Sequence, residues 1–154
     1  MEQIFLICLA FILLIAAICD IRSYIIPNSL SIALILLFIL RVVFIATPLL
    51  AIGVDILTAG VIFLLGLFLF SRSMFGGGDV KLLAALTLCV GLLGAPRLLL
   101  VMSLVGGLLA LLILAIRRLH WAQQAHLDRR IPYGVAIAAA GFDYCLQQSH
   151  LIAW

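Results

Sequence analysis

Phe75-Gly76-Gly77-Gly78-Asp79-Val80-Lys81 separates two long apolar runs. Glycine adopts backbone conformations closed to other residues and lets a second backbone come close. The aspartate after the three glycines stands at the edge of an apolar segment. An acid there is costly in a bilayer and is kept for a function or a partner. Both fold and chemistry follow from this stretch: the flanking runs are membrane helices, and Asp79 needs a partner. Asp20, at the end of the first apolar run, is the candidate.

Of 154 residues, 68% are hydrophobic and 10% charged. That balance excludes a soluble domain and fits one polytopic membrane domain, residues 1–154, with little mass outside the bilayer. The net charge of +3 is small and scattered, so nucleic acid is not a suggested partner. Cys8, Cys19, Cys89 and Cys145 fall in apolar runs without Cys-x-x-Cys spacing. They read as packing residues, with neither a disulfide framework nor a zinc site expected. The start, Met1-Glu2-Gln3, lacks the basic region of a cleaved signal peptide. Leu14 to Cys19 only faintly resembles a lipoprotein cleavage box, because Ile18 is too bulky before the cysteine.

Six transmembrane helices are expected. The first runs from about Ile4 to Cys19, the second from Pro27-Asn28-Ser29 to about Ala46, and Pro48 marks a turn. The third spans about Ala51 to Phe70, and the fourth about Val80 to Val90, fading through Gly91 to Gly94. A turn at Ala95-Pro96-Arg97 precedes the fifth, about Leu98 to Ile116; the sixth runs from Pro132 to about Leu146. Segments one, four and six are short for a hydrocarbon core of roughly 30 Å.

Basic residues set the orientation. The turns after segments one, three and five share a side holding Arg22, Arg72, Lys81, Arg117, Arg118, Arg129 and Arg130, against Arg41 and Arg97 opposite. The first side is assigned to the cytoplasm and both termini to the periplasm. Trp121, beside His120, fits an interfacial anchor. The basic loop from Arg117 to Arg130 reads as a topology signal with some affinity for anionic lipid. Asp20, Asp79, Pro27-Asn28 and Pro132-Tyr133-Gly134 then all face one compartment.

Two carboxylates close together in a low-dielectric site cannot both ionise easily. One keeps its proton while the other stays a base, so the pair can activate water and protonate a leaving group. Each residue also has a plainer reading. Asp20 could end a helix at the water boundary, and Asp79 could cap segment four. Gly76 to Gly78 could form a flexible turn or a helix-packing point, and they lack the pattern of a phosphate loop. Lys81 could pair with Asp79 or with lipid phosphate. Pro27 and Pro132 suit the start of a helix, and Asn28 could be a cap. Asp55 and Asp143 lie toward the other side, as partners for Arg41, Arg97 or water. His120, His126 and His150 show no metal-ligand pattern.

Gly76-Gly77-Gly78-Asp79 fits the G-x-G-D signature of intramembrane aspartyl peptidases, and the chain resembles their prepilin peptidase branch. Asp20-Ile21-Arg22 leading to Ile26-Pro27-Asn28 looks like that branch's first-aspartate motif. Ile131-Pro132-Tyr133-Gly134-Val135-Ala136 looks like its final-helix motif. The short form serving tight-adherence (Flp-type) pili is the nearest likeness. The resemblance implies a bacterial inner-membrane enzyme that removes leader peptides from prepilins and pilin-like proteins at the cytoplasmic face. Asp20 and Asp79 are the implied catalytic pair, with no metal or other cofactor. Gly76, Gly77, Gly78, Lys81, Arg22, Pro27, Asn28, Pro132, Tyr133 and Gly134 are the implied supporting residues. Longer relatives carry a cytoplasmic domain with paired Cys-x-x-Cys motifs and methylate the new N-terminus. None of that pattern is present, so no methyl transfer is expected. Longer members also tend to have a second proline in the final-helix motif, where this chain reads Pro132-Tyr133-Gly134-Val135. Two rivals from other classes are a small proton- or ion-coupled transporter, which needs acids near mid-bilayer, and a non-catalytic pilus-assembly scaffold.

Overall fold

The computed structural model describes residues 2–45, 47–119 and 132–152, and all its regular structure is helical. The elements are α1 (Glu2–Ser23), α2 (Asn28–Ile45), α3 (Leu49–Ser71), α4 (Gly77–Leu119) and α5 (Tyr133–Ile152). The basic loop's residues 120–131, with His120, Trp121 and His126, lie outside the described residues.

These helices are apolar on every side, as expected where one face meets protein and the other meets lipid. On α1, Phe5, Leu6, Leu9, Leu13 and Ala16 are buried, while Ile4, Ile7, Phe11, Leu14, Ile18 and Ile21 form an exposed stripe at helical spacing. Similar surfaces cover α2, α3 and the later part of α4. So much contiguous exposed hydrocarbon is untenable in water and natural in a bilayer. Four of the elements, α1 to α4, are long and apolar enough to cross a membrane.

α4 holds the bundle together, packing against α2, α3 and α5, while α1 lies mainly on α5 and also touches α2. Its 43 residues would measure about 64 Å if straight, roughly twice the hydrocarbon thickness. They are not straight. Gly91, at φ 74° and ψ 179°, breaks α4 into arms of residues 77–90 and 92–119. Leu86 of the first arm lies beside Gly141 of α5, and Gly94 lies beside Tyr144. Gly106 then returns to Tyr133, at the start of α5. The arms therefore run in opposite directions, as the separate segments four and five require. The break is not the expected turn at Ala95-Pro96-Arg97, which is helical. Pro96 is the fifth residue of the second arm, inside the helix rather than at a turn.

Opposite charges dress the broken ends. Arg41 Nη1 donates to the Cys89 carbonyl at 2.9 Å, and Asp55 Oδ1 accepts from the Leu92 N–H at 3.3 Å. A cation thus meets the C-terminal end of one arm and an anion the N-terminal end of the next, as helix dipoles favour. Arg41 also lies over the Phe5 ring at 5.0 Å. Asp55 accepts from Leu92 and forms no ion pair with Arg41. Asp143 does pair with Arg97, through bonds of 2.8 and 3.1 Å.

The helices alternate in direction. Asp20 lies level with Gly134, Leu13 with Gly141, Gly66 with Val80, and Asp55 with Gly91. One end of the bundle therefore carries Asp20, Asn28, Gly76 to Asp79 and Tyr133; the other carries Arg41, Asp55, Gly91, Arg97 and Asp143. α2 and α3, although consecutive, pack on α4 rather than on each other. A cavity of about 560 Å³ lies between them, lined by residues such as Ile35, Gly60, Ala84 and Leu88.

Gly91→Ala should lower the thermal midpoint of the purified protein. Its φ and ψ are open essentially only to glycine, and an added Cβ would stand 2.8 Å from Asp55 Oδ1. The expected cost is about 1–3 kcal/mol. Asp55→Ala, which removes only the cap, should cost about 1 kcal/mol. Both are read from unfolding curves in one detergent.

Candidate active site

Asp20 continues the buried face of α1 through Leu9, Leu13 and Ala16 and is only 4% exposed. The apolar run stops at Cys19, but the helix runs on to Ser23, so Asp20 lies inside its last turns rather than just beyond its end. Tyr24, at φ 52°, terminates the helix, the left-handed residue common at helix ends. Ile25 to Pro27 then lead into α2.

Asp79 is the third residue of α4, and its carboxylate folds back toward Gly76: a Cβ on Gly76 would lie 2.6 Å from Asp79 Oδ2. An acid at this position of a helix start is placed to reach the preceding backbone, so the capping reading of Asp79 agrees with its geometry. The two acids, 59 positions apart in the chain, share one end of the bundle, linked through the contacts of Gly78 and Gly134 with Ile26 and of Gly134 with Asp20.

Ile26 stands between the starts of α4 and α5. A Cβ on Gly78 would meet Ile26 Cβ at 3.2 Å and its carbonyl oxygen at 3.3 Å. On the other side, a Cβ on Gly134 would meet Ile26 Cδ1 at 2.7 Å and Asp20 Oδ2 at 2.8 Å. The glycines before Asp79 are thus used for space. Among the described glycines, positive φ occurs at Gly91 and not in this run, so the run is a close-packing point rather than a left-handed turn. Gly77 makes only ordinary contact with Phe70.

The first turn of α5 closes the site. The Val135 N–H donates to Asp20 Oδ2 at 3.2 Å, using one of the N-terminal amides that a helix leaves without an internal partner. Tyr133 stacks on Phe75, with centroids 5.0 Å apart and planes inclined by 22°. The aromatic pair joins the glycine run to the final-helix motif. Pro27 and Pro132 immediately precede α2 and α5, as expected of helix-start prolines.

Two supporting residues behave differently from expectation. Lys81 Nζ donates to Asn28 Oδ1 at 3.0 Å. Lys81 therefore straps α4 to the start of α2 rather than pairing with Asp79, from which it is turned away by two helical positions. Asn28 spends its side-chain oxygen on that strap. Arg22 is exposed and forms no hydrogen bond or ion pair among the described residues. Conversely, Ile26 bears on Gly78 and Gly134, Phe75 on Tyr133, and the Val135 amide on Asp20. Only their presence inside motif stretches pointed to them, because side-chain chemistry does not advertise a backbone donor.

What the arrangement can do follows from its parts. Two carboxylates lie at one end of the bundle, one held by a helix N-terminus and the other folded on its own helix start. Such a pair can divide proton acceptance and proton donation between its members. The family model of the type IV leader peptidase family matches residues 7–111 of the 154, a span containing both Asp20 and Asp79. No curated protein and no solved structure matches the chain. On the family match, which covers more than half its length, the chain belongs to the type IV leader peptidase family.

Proposed function

We propose that the chain is an intramembrane aspartyl endopeptidase that removes leader peptides from type IV prepilins and pilin-like proteins, those of the Flp type in particular. Asp20 and Asp79 are its catalytic pair. The observation that carries this reading is their placement: α1 and α4 bring the two acids to the same end of the bundle, where Ile26 abuts both Gly78, next to Asp79, and Gly134, which abuts Asp20, in a chain of a leader peptidase family. Gly76 and Gly78 support the reading by giving up side chains where Asp79 and Ile26 need the space.

The reaction needs one ionised and one protonated carboxyl. Water attacks the scissile carbonyl carbon as the carboxylate takes one of its protons, and the carboxylic acid gives its proton to the carbonyl oxygen. Collapse of the tetrahedral intermediate breaks the C–N bond. The nitrogen takes the proton acquired from water, and a hydroxyl of the intermediate returns a proton to the second acid. Both carboxyls finish as they began. We assign the chain this hydrolytic step alone, without methyl transfer.

The chain passes through the bacterial inner membrane six times in this reading, the two arms of α4 counting separately, with both termini in the periplasm. The end carrying Asp20 and Asp79 faces the cytoplasm. Arg22, Arg72 and Lys81 stand at that end, the distribution expected of cytoplasmic loops. The first arm of α4 spans only about 21 Å, shorter than the hydrocarbon core. A bilayer thinned around it would let water reach the acids.

Asp20→Asn and Asp79→Asn should each abolish leader removal from a co-expressed prepilin, followed as a mobility shift on a gel, with insertion and abundance unchanged. Processing at the wild-type rate by either variant sinks the pairing. In a background without native cysteines, Ser73→Cys should be labelled by an impermeant maleimide only from the cytoplasmic side, and Thr47→Cys only from the periplasmic side. The reverse pattern would turn the assigned orientation over.

A further inference from the structure

The proposed chemistry leaves open why Asp20 should hold still. It lies in the last turns of α1, next to a helix end where Tyr24 has already turned left-handed and residues 24 and 25 are exposed. A side chain at such a position has rotamers to choose from, and a misplaced reacting group is costly. Neither α1 nor α4 supplies a hydrogen bond to the Asp20 carboxylate among the described residues. α5 does, through the Val135 N–H at 3.2 Å from Oδ2.

We propose that the first turn of α5 is the positioning element for Asp20: the Val135 backbone N–H anchors one carboxylate oxygen, and Gly134 keeps clear the space that oxygen occupies. The inference rests on the peptidase reading and adds two positioning residues to it, one of which acts only through its backbone. Gly134 is buried, and an added Cβ would stand 2.8 Å from Asp20 Oδ2 and 2.9 Å from Cγ. Any side chain there drives the carboxylate off the Val135 amide. The amide costs the helix nothing to lend, since the first four N–H groups of a helix have no intrahelical acceptor. It also lies at the positive end of the α5 dipole, which favours an anion. Asp20 is thereby held as a hydrogen-bond acceptor through Oδ2. Gly134 is required here for clearance, since its φ is not positive.

A competing explanation is that Gly134 merely makes room for Ile26, whose Cδ1 lies 2.7 Å from the same imagined Cβ. The two are separable. Ile26→Val removes Cδ1, so the effect of Gly134→Ala measured in the Ile26→Val background reports the clash with Asp20 alone. Val135→Pro deletes the donor without adding bulk at position 134, and proline is tolerated in a first helical turn.

The experiment measures kcat and KM for leader removal by purified enzyme in nanodiscs, with thermal midpoints recorded for every variant. Gly134→Ala is expected to lower kcat by about 100-fold, the scale of a roughly 1 Å misplacement, with KM unchanged. The same fold-loss should appear when it is introduced into Ile26→Val, and Val135→Pro should show a comparable loss confined to kcat. If Gly134→Ala has no effect in the Ile26→Val background, Gly134 serves packing and the inference is overturned. Wild-type kcat in Val135→Pro overturns the role of the amide, whether or not Gly134→Ala folds. A loss spread over KM and the midpoint would mark a structural role and count against the inference. Failure of the wild-type enzyme to cleave any prepilin would instead fall on the peptidase reading itself.

Discussion

A carboxylate in a bundle of hydrocarbon side chains has to be met by something polar, and the fold is arranged around meeting two of them. Asp20 is answered by the amide of Val135 at 3.2 Å, which ties the first helix to the last across 115 positions of sequence. Asp79 folds on Gly76 at the start of its own helix. The remaining interactions hold these two helix starts and one helix end at the same level. Leu13 against Gly141 and the Phe75–Tyr133 stack at 5.0 Å keep α1, α4 and α5 in step. The Lys81–Asn28 bond does the same for α2.

The opposite end of the bundle is organised by a different need. Reversing a helix inside a membrane exposes backbone carbonyls at the end of one arm and amides at the start of the next, where unsatisfied polar groups are expensive. Arg41 and Asp55 answer them with the charge each end prefers. Their neighbours supply the geometry: Gly91 takes a conformation closed to other residues, and the cavity of about 550 Å³ around it leaves the two side chains room. The membrane acids and bases of this chain thus divide cleanly. Asp20 and Asp79 lie at one end; at the other, Arg41 and Asp55 satisfy the broken helix and Arg97 pairs with Asp143.

Much of this was legible in the sequence because alternation of apolar segments is a strong constraint. Once helices reverse direction, Asp20, Asp79 and Tyr133-Gly134 must share an end, and they do. Asp20 is additionally marked by spacing, since it extends the Leu9, Leu13, Ala16 series. Three features were not legible. Hydropathy registers where lipid contact stops, not where backbone hydrogen bonding stops, so α1 continues past Cys19 to Ser23. The reversal in α4 falls at Gly91, whereas proline at position 96 is the louder turn signal; glycine's freedom leaves no trace of which conformation it adopts. Lys81 takes Asn28 instead of Asp79 because residues two apart on a helix face nearly opposite ways, and α2 occupies the side where Lys81 points. The catalytic assignment and the compartment rest on the family and on charge distribution, which no single residue announces.

The first arm of α4 has a rigid phase as well as a short reach. Its far end is pinned at Gly91 and its near end bears Asp79, with helix in between that packs on three neighbours. Adding or deleting one residue along it would swing the acid by about 100° around the axis; adding a whole turn would restore the bearing but lift it by about 5.4 Å. The number of residues between Gly91 and Asp79 thereby sets both the bearing of the carboxylate and its depth below the break.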